Sequence, residues 1–319
     1  MGAAARGTMS APPRTPHGGG GVDRKRLLYI VSAEPHVSPF DINMAYDAGF
    51  DAVLPYGGVR AGAVRGLVQD IMFSRGPKGA RASSLMVASA GLGEAEAAFA
   101  TARAALFDPF RIGLMVDPKG AYTTAAALLA RVEAVRRARG LGGLAGASVL
   151  VLGGTGGVGR AAAAMAAADG ARVTLVSRDA ARANAAAAEV TALYGVAVAV
   201  RGAAGEPDRA ALAAGSDVVL AAGAAGVALL GPPVVRALRG PKILADINAV
   251  PPAGLAGIEP SADGIEIAPD LFAIGALAVG GLKIKVESAL LADLLGGGPA
   301  PCLDAAAARR RAGELLARA

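Results

Sequence analysis

The stretch VLVLGGTGGVGRAAA, residues 149–163, constrains the fold of this chain more than any other feature. An apolar run of strand type leads directly into a glycine-rich turn, and an alanine-rich run of helical type follows, which is the context in which a G-x-G-x-x-G spacing becomes specific. Such a turn bends sharply, lets backbone N–H groups approach a pyrophosphate at the helix N-terminus, and packs the helix close to the strand. We therefore predict a dinucleotide site formed by Gly154, Thr155, Gly156, Gly157, Val158 and Gly159.

The end of the next predicted strand, in VTLVSR, bears on which dinucleotide binds. An NAD site usually carries an acidic side chain there for the ribose hydroxyls, whereas this chain has Ser177 and Arg178. A hydroxyl and a guanidinium suit a 2′-phosphate, so NADP is favoured. Asp179 follows directly and could bind the ribose of NAD, so NAD stays possible. Arg178 could also be an ordinary surface charge at the start of a helix.

Two later strand ends carry further candidate cofactor residues. Ala222 and Gly223, in AAGAAG, are small enough for the backbone to run beneath the second ribose of the cofactor. Asn248, in ADINAVPPAG, follows a strand at the face where α/β sheets bind ligands. Its amide could position the nicotinamide carboxamide, or it could cap the turn before Pro251 and Pro252.

Apolar runs alternate with amphipathic or alanine-rich runs along most of the chain, which is typical of βαβ units around a mostly parallel sheet. The glycine-rich residues 140–146 divide this pattern. We predict two α/β domains, residues 24–140 and 141–279, the second with a doubly wound Rossmann sheet, and C-terminal helices in residues 280–319 that pack back on the first domain. Residues 1–23, rich in glycine and proline, are predicted to be a disordered tail without a secretory signal.

The composition restricts the partners. The formal net charge of +6 suits an anionic ligand, but only 4% of the residues are aromatic and none is Trp, which disfavours a nucleic-acid site. No apolar window reaches the ~20 residues of a membrane-spanning helix. The single Cys302 excludes an intrachain disulfide framework and suits a reducing cytoplasm. No metal-ligand motif of the H-E-x-x-H or calcium-loop kind occurs, so no metal is predicted.

The first predicted domain concentrates polar residues at the ends of strands and the starts of helices. They occur in the segments SPFDINMAYDAGFD, FSRGPKG and VDPKGAYTTAAA. A single residue of this kind often only caps a helix. Three such loops on one side of a cleft are better explained together by a substrate site. The candidate residues are Asp41, Asn43, Arg75, Lys78, Asp117, Lys119, Tyr122, Thr123 and Thr124.

These motifs together carry a family resemblance over residues 27–295. The three segments above, with GGTGGVG, VTLVSR, ADINAVPPAG and IGALAVGGLKIK, resemble the NAD(P)-dependent methylene-tetrahydromethanopterin dehydrogenases of methylotrophic bacteria. The resemblance implies a pterin-binding α/β domain, a Rossmann domain and C-terminal helices that return to the first. It also implies a reaction of formaldehyde oxidation in one-carbon metabolism. In it, hydride passes from 5,10-methylene-tetrahydromethanopterin to NAD(P)+, leaving the methenyl cation.

The resemblance suggests roles for individual residues. Nitrogens beside the methylene carbon stabilise the cation, so the protein has to supply alignment, water exclusion and electrostatics rather than a general base. The expected catalytic residues are Asp41 or Asp117, whose carboxylate would stabilise the developing positive charge, and Lys283. Contacts to the pterin carbonyl, nitrogens or phosphorylated tail are expected from Lys78, Lys119, Thr123, Thr124 and Lys283.

Two alternatives remain open on the sequence. The same reaction on methylene-tetrahydrofolate involves identical carbon chemistry and differs in the substituents and tail of the pterin. A catalytically silent NADPH-binding sensor would keep the glycine turn, although the polar loops opposite that turn speak against it. We further expect a cytoplasmic homo-oligomer.

Overall fold

The computed structural model describes residues 24–296 and 300–318, so the predicted tail lies outside the described residues. The first half of the chain alternates strands with helices. Its elements are β1 (Leu27–Val31), α1 (Pro39–Ala48), β2 (Ala52–Tyr56), α2 (Ala61–Ala80), β3 (Ser83–Val87), α3 (Leu92–Ala105), β4 (Gly113–Val116), a 3-10 turn (Pro118–Gly120) and α4 (Ala121–Ala138).

The second half continues the alternation and ends in two helices. Its elements are β5 (Ser148–Leu152), α5 (Gly157–Ala168), β6 (Arg172–Ser177), α6 (Ala180–Tyr194), β7 (Ala199–Gly202), α7 (Glu206–Ala214), β8 (Val218–Ala221), α8 (Pro232–Ala237), β9 (Lys242–Asp246), β10 (Asp263–Ala268), β11 (Leu271–Ile274), α9 (Ala276–Leu295), β12 (Cys302–Leu303) and α10 (Ala305–Ala317).

These strands form two sheets. The first has the order β12-β4-β3-β1-β2, and all of its pairs are parallel. The second has the order β10-β11-β9-β8-β5-β6-β7 and is parallel except for the β10–β11 pair. This is the strand order of a doubly wound dinucleotide-binding sheet, in which the direction of winding reverses between β5 and β8. The prediction of an α/β fold with a Rossmann sheet is confirmed.

Packing between helices joins the two sheets. Helix α4 contacts α5 of the second sheet as well as α9 and α10, which come from the C-terminal part of the chain. Small side chains allow this close approach, because alanines on α4 are fully buried, among them Ala125, Ala126 and Ala127. Helix α9 also contacts α1, and β12 pairs with β4, so the end of the chain packs on the first sheet.

The structure differs from the sequence expectation in some element bounds. The sequence pattern predicts a helix over residues 61–73, whereas helix α2 continues to Ala80 and is interrupted only at Gly76, whose φ of 64° and ψ of 175° are not helical. Strands β10, β11 and β12 and helices α7 and α8 were not predicted, because their apolar runs are short and show no clear periodicity. No helix within the described residues is long and apolar enough to cross a membrane.

Candidate active site

A cavity of about 800 Å³ lies at the carboxyl ends of β5, β6, β8 and β9. This is the crevice in which a doubly wound sheet binds its ligand. Among the predicted cofactor residues, those that line the cavity are Thr155, Gly156, Gly157, Val158, Ser177, Arg178, Ala222 and Gly223. Gly154, Gly159 and Asn248 do not line it.

The glycines of the turn have distinct tasks. The first glycine of the G-x-G-x-x-G spacing, Gly154, is expected to make the sharp bend, but the bend lies at Gly153, which has a left-handed φ of 73°. A Cβ at Gly153 would lie 2.5 Å from Cα of Gly223. Gly154 instead makes room for Leu175, whose Cδ2 would lie 2.4 Å from an added Cβ. Gly159 lets α5 pack on the turn, since a Cβ there would lie 2.8 Å from Cα of Gly154.

The space beside the N-terminus of α5 fits a pyrophosphate. A Cβ added at Gly156 would meet no protein atom closer than 3.7 Å, and one at Gly157 would lie 3.7 Å from Cβ of Ala121. The protein itself therefore does not require glycine there, whereas a ligand that approaches the backbone does. Gly156 is the N-cap of α5, and no side chain in the described part of the chain caps this helix. Its first N–H groups therefore remain available to phosphate oxygens.

Basic side chains gather where β6 meets α6. Ser177 and Arg178 line the cavity there, together with Arg182 and Arg209, which the sequence reasoning missed. Asp179 caps α6, and its Oδ1 accepts two backbone N–H bonds of 2.8 and 3.2 Å. Because these bonds engage the Asp179 carboxylate with the helix, the groups best placed to meet the 2′ substituent of a ribose are cationic.

Asn248 caps a turn and is not among the residues that line the cavity. Its Nδ2 donates to the carbonyl oxygen of Pro252 over 3.0 Å, and its Oδ1 accepts the N–H of Val250 over 3.0 Å. Both polar ends of the amide are therefore satisfied within the turn, in agreement with the turn-capping alternative that the sequence left open.

A second group of ionisable side chains, the acid–lysine cluster, consists of Asp41, Asp117, Lys283 and Glu287. Asp41 lies in the first turn of α1, Asp117 follows β4, and the other two lie one turn apart on α9. The three acids are 4%, 1% and 0% exposed, in chain order. The Nζ of Lys283 donates to Oε2 of Glu287 and lies 3.8 Å from the centre of the Phe40 ring.

The acid–lysine cluster lies next to the glycine turn. Ala121, the first residue of α4, faces Gly157 of the turn. Its neighbour Gly120 faces Lys283, because a Cβ added there would lie 3.4 Å from the Cε of that lysine. The start of α4 therefore separates the cofactor cavity from the charged side chains by a single layer of small residues.

Asp117 is fixed by the helix that follows it. One oxygen accepts the N–H groups of Tyr122 and Thr123 at 2.8 and 3.4 Å, and the other accepts the Thr123 hydroxyl at 2.6 Å. Thr123 is fully buried, so it orients Asp117 and is not exposed to a ligand. Burial nevertheless raises the pKa of the Asp117 carboxyl, because these bonds and Lys283 only partly offset its desolvation.

Asp41 and Glu287 each keep a buried oxygen without a hydrogen-bond partner among the described residues. Burial, reinforced by the charge of Asp117, raises the pKa of Asp41 to about 6. Burial raises the pKa of Glu287 to about 7, although the Lys283 ammonium opposes this. Glu287 was not predicted; the signal in the sequence is an acid four residues after a lysine on the same face of an apolar helix.

The remaining substrate candidates fall into two groups. Asn43 on α1 and Lys119 in the 3-10 turn are exposed, and Lys119 has a left-handed φ of 48°. Thr124 is half-buried, and its hydroxyl donates to the carbonyl oxygen of Gly120 over 2.6 Å. Lys119 and Thr124 follow β4 and therefore lie near Asp117.

Arg75 and Lys78 lie away from the acid–lysine cluster. Both are near the end of α2, which leads to the amino end of β3. The Arg75 guanidinium donates to the carbonyl oxygen of Lys25 and to the Ser83 hydroxyl, each over 2.7 Å, and so ties α2 to the starts of β1 and β3. The prediction that these two residues share a cleft with Asp41 and Asp117 is wrong, because the helix carries them to the opposite edge of the sheet.

Tyr122 lies in the core. Its side chain is fully buried, and its hydroxyl is 2.5 Å both from Oε1 of Glu96 on α3 and from the hydroxyl of Tyr194 on α6. The side chain therefore joins helices of the two sheets instead of contacting a substrate, which corrects the role expected for it.

The two sheets and the cavity at the switch point define an α/β protein of the Rossmann type. A solved shikimate 5-dehydrogenase from Listeria monocytogenes, in complex with shikimate and NAD, has this fold. It is 14% identical, the alignment covers 92% of this chain and 96% of that one, and the TM-score is 0.51.

The family is given by closer relatives. Residues 39–119 match the family model of the methylene-tetrahydromethanopterin dehydrogenase N-terminal domain. The NAD(P)-dependent methylenetetrahydromethanopterin dehydrogenase of Methylorubrum extorquens is 36% identical over 88% of this chain and 95% of its own length. Bifunctional protein MdtA of the same organism is 36% identical over 85% of this chain and 92% of its own length. The chain belongs to the methylene-tetrahydromethanopterin dehydrogenase family, which confirms the resemblance.

Proposed function

We propose that this chain oxidises 5,10-methylene-tetrahydromethanopterin to the methenyl form and transfers the hydride to NAD(P)+, with NADP+ preferred. The observation that carries the proposal is the position of the acid–lysine cluster directly beside the glycine turn, across Gly120 and Ala121. Hydride transfer needs the two reacting rings to meet at such a boundary. Membership of the family supports the choice of a pterin as the hydride donor.

The chain's own residues supply electrostatics and alignment. When bound, the nicotinamide ring accepts the hydride with its electron pair. Asp41 and Asp117 place negative charge in a poorly solvated site, where it stabilises the positive charge that develops on the pterin. Asp117 is already fixed by three hydrogen bonds, so it does not have to reorient during the reaction. Lys283, held over the Phe40 ring, can donate to the pterin carbonyl.

The preference for NADP+ rests on the cationic part of the cavity. Arg178, Arg182 and Arg209 line it together with Ser177. Guanidinium groups bind a phosphate through paired hydrogen bonds. Asp179, the acidic residue after Arg178 that could bind the ribose hydroxyls of NAD, is engaged as a helix cap.

A steady-state assay tests the proposal. The purified chain is mixed with methylene-tetrahydromethanopterin or methylene-tetrahydrofolate, each with NADP+ or NAD+, and reduced nicotinamide is followed by absorbance. We expect the highest kcat/KM with the methanopterin substrate and NADP+. Activity with the folate substrate alone would overturn the choice of substrate. Tight NADPH binding without turnover of either pterin would favour a sensor.

The cellular context is part of the same proposal. A role in formaldehyde oxidation, a cytoplasmic location and a homo-oligomeric state are inferred together with the activity. An exposed aromatic group supports self-association, since Phe73 and Phe107 are 57% and 43% exposed with ring centres 6.0 Å apart. Light scattering of the purified chain would give the oligomeric state, and a monomeric mass would overturn that part.

A further inference from the structure

We propose that Glu287 is a positioning residue, whose buried carboxylate holds the Lys283 ammonium in place for the pterin. This inference rests on the proposed function and extends it to a residue that does not itself contact the reacting atoms. It assigns a task to a charged group at a place in the fold where packing alone would favour an apolar side chain.

The geometry holds Lys283 from two sides. Glu287 lies four residues further along α9, and its Oε2 accepts a hydrogen bond from Nζ of Lys283. On another side the Phe40 ring of α1 lies 3.8 Å from Nζ and attracts the cation. The Lys283 side chain is 12% exposed, so its charge is near the surface of the cleft while Glu287 is below it.

Stability does not account for Glu287. A buried ion pair stabilises a fold little, because the desolvation of both charges offsets their attraction. Glu287 is 0% exposed, and its second carboxylate oxygen has no hydrogen-bond partner in the described ranges. An unpaired buried oxygen is destabilising by itself. A fully buried acid that is incompletely satisfied and contacts a candidate catalytic lysine indicates a functional role.

Other charged groups share this environment. Asp41 on α1 and Asp117 before α4 act electrostatically on both Lys283 and Glu287. On α10, Arg311 pairs with Asp293, which lies further along α9. Because the pKa of Glu287 is raised to about 7, its charge changes near neutral pH, and the hold on Lys283 should change with it.

A double-mutant cycle tests whether Glu287 acts through Lys283. The variant Glu287→Gln keeps the shape and removes the charge, and we expect kcat/KM for the pterin to fall about tenfold while NADP+ binding is unchanged. We also expect the wild-type kcat/KM to show an inflection near pH 7, and this inflection to be lost in the variant. In a Lys283→Met background the same change should add no further loss. Asp293→Asn, on the same helix, is the matched control and should leave activity unchanged.

A second measurement does not depend on turnover. The chain has six lysines, which can be ¹³C-dimethylated and resolved by NMR, with Lys283→Met identifying the Lys283 signal. We expect that signal to move as the pH passes through about 7, and this step to vanish in Glu287→Gln. The exposed Lys285 is the internal control.

The outcomes separate the two proposals. An additive loss in the double mutant, or a Lys283 signal that ignores Glu287, overturns the positioning role and leaves the proposed function standing. Absence of pterin turnover in the wild type overturns the proposed function, while the NMR titration still decides whether Glu287 holds Lys283.

Discussion

The cofactor cavity and the acid–lysine cluster meet at the start of α4, yet they are built in different ways. The cavity uses backbone: a glycine turn, an uncapped helix N-terminus and small residues at the ends of strands. The acid–lysine cluster uses buried ionisable side chains from α1, from the loop after β4 and from α9.

This difference between the two regions matches the charges of the ligands that we propose for them. A pyrophosphate keeps its charge throughout the reaction, so rigid N–H donors and arginines suit it. The pterin becomes a cation during the reaction, so groups that favour positive charge in a water-poor site suit it. Substitutions in the two regions should therefore have separable effects on cofactor binding and on catalysis.

The largest effect, on both stability and NADP+ binding, is expected from a substitution in the glycine turn. Gly153→Val adds a branched side chain at a φ of 73°, where even a Cβ would lie 2.5 Å from Gly223. We expect a loss of about 4 kcal/mol in the free energy of unfolding and no measurable NADP+ binding. Gly156→Ala is the matched comparison: the fold has room for its methyl, so the melting temperature should stay near that of the wild type while NADP+ binding weakens. Urea unfolding and calorimetric titration measure both, and equal stability losses would refute the distinction.

Lys283→Met should impair the acid–lysine cluster and leave the cofactor cavity unaffected. We expect kcat/KM for the methylene-pterin to fall about 100- to 1,000-fold, because a charged donor fixed in the site is removed. Binding of NADP+ should be unchanged, since the lysine is separated from the cavity by Gly120 and Ala121. Lys285→Met, at an exposed position of the same helix, is the control. If Lys283→Met weakened NADP+ binding as strongly as catalysis, the two regions would not be separable.

Asp41→Asn should lower the catalytic efficiency while it raises the stability of the fold. Its folded-state pKa is raised from 3.8 to about 6, so the ionised wild-type side chain destabilises the fold. The stability advantage of the variant should be absent near pH 4, grow as the pH rises to about 6 and then level off at up to about 3 kcal/mol. Its kcat/KM should fall by about tenfold or more. Unfolding curves across this pH range check the sign, with exposed Asp47→Asn as control.

Arg178→Ala tests the cofactor cavity, and its expected effect is smaller than those of the preceding substitutions. Removing the guanidinium should raise the KM for NADP+ by about tenfold and leave the KM for NAD+ within about twofold, because only NADP+ carries the 2′-phosphate. Arg182→Ala, one turn into α6, provides the comparison. An equal loss with both cofactors would mean that these arginines contact a phosphate that the two cofactors share.

Tyr122→Phe should have the smallest effect and no kinetic consequence. The change removes a buried hydroxyl bonded to Glu96 and Tyr194, and should lower the free energy of unfolding by about 1–2 kcal/mol. The KM for the pterin should be unchanged, because the side chain is fully buried. A raised KM for the pterin with unchanged stability would instead support a substrate-binding role for Tyr122.

The cofactor side was largely readable from the sequence because its features are local. Strand, turn and helix follow one another within fifteen residues, and Ser177 and Arg178 lie at the end of the next strand. The difference found there is also local, because the bend lies at Gly153, one residue before the first glycine of the G-x-G-x-x-G spacing. Asn248 caps a turn, an alternative that the sequence left open.

The other region was only partly readable. Asp41 and Asp117 were identified as polar residues at the ends of predicted elements, and Lys283 through a family motif. Glu287 was missed because one acid in an apolar helix has no local signature. Arg75 and Tyr122 were misplaced, since a polar residue near a helix end can lie at either edge of a sheet or inside the core.

By itself, the sequence determined the α/β class, the dinucleotide turn and the family, because periodicity, glycine spacing and contiguous motifs are properties of neighbouring residues. The tertiary structure decided which charged residues meet, because α9 brings Lys283 and Glu287 to Asp41 and Asp117 across more than 160 positions of the chain. Burial of these side chains, and therefore their raised pKa values, depends on the packing of α1, α4 and α9, which no local pattern specifies.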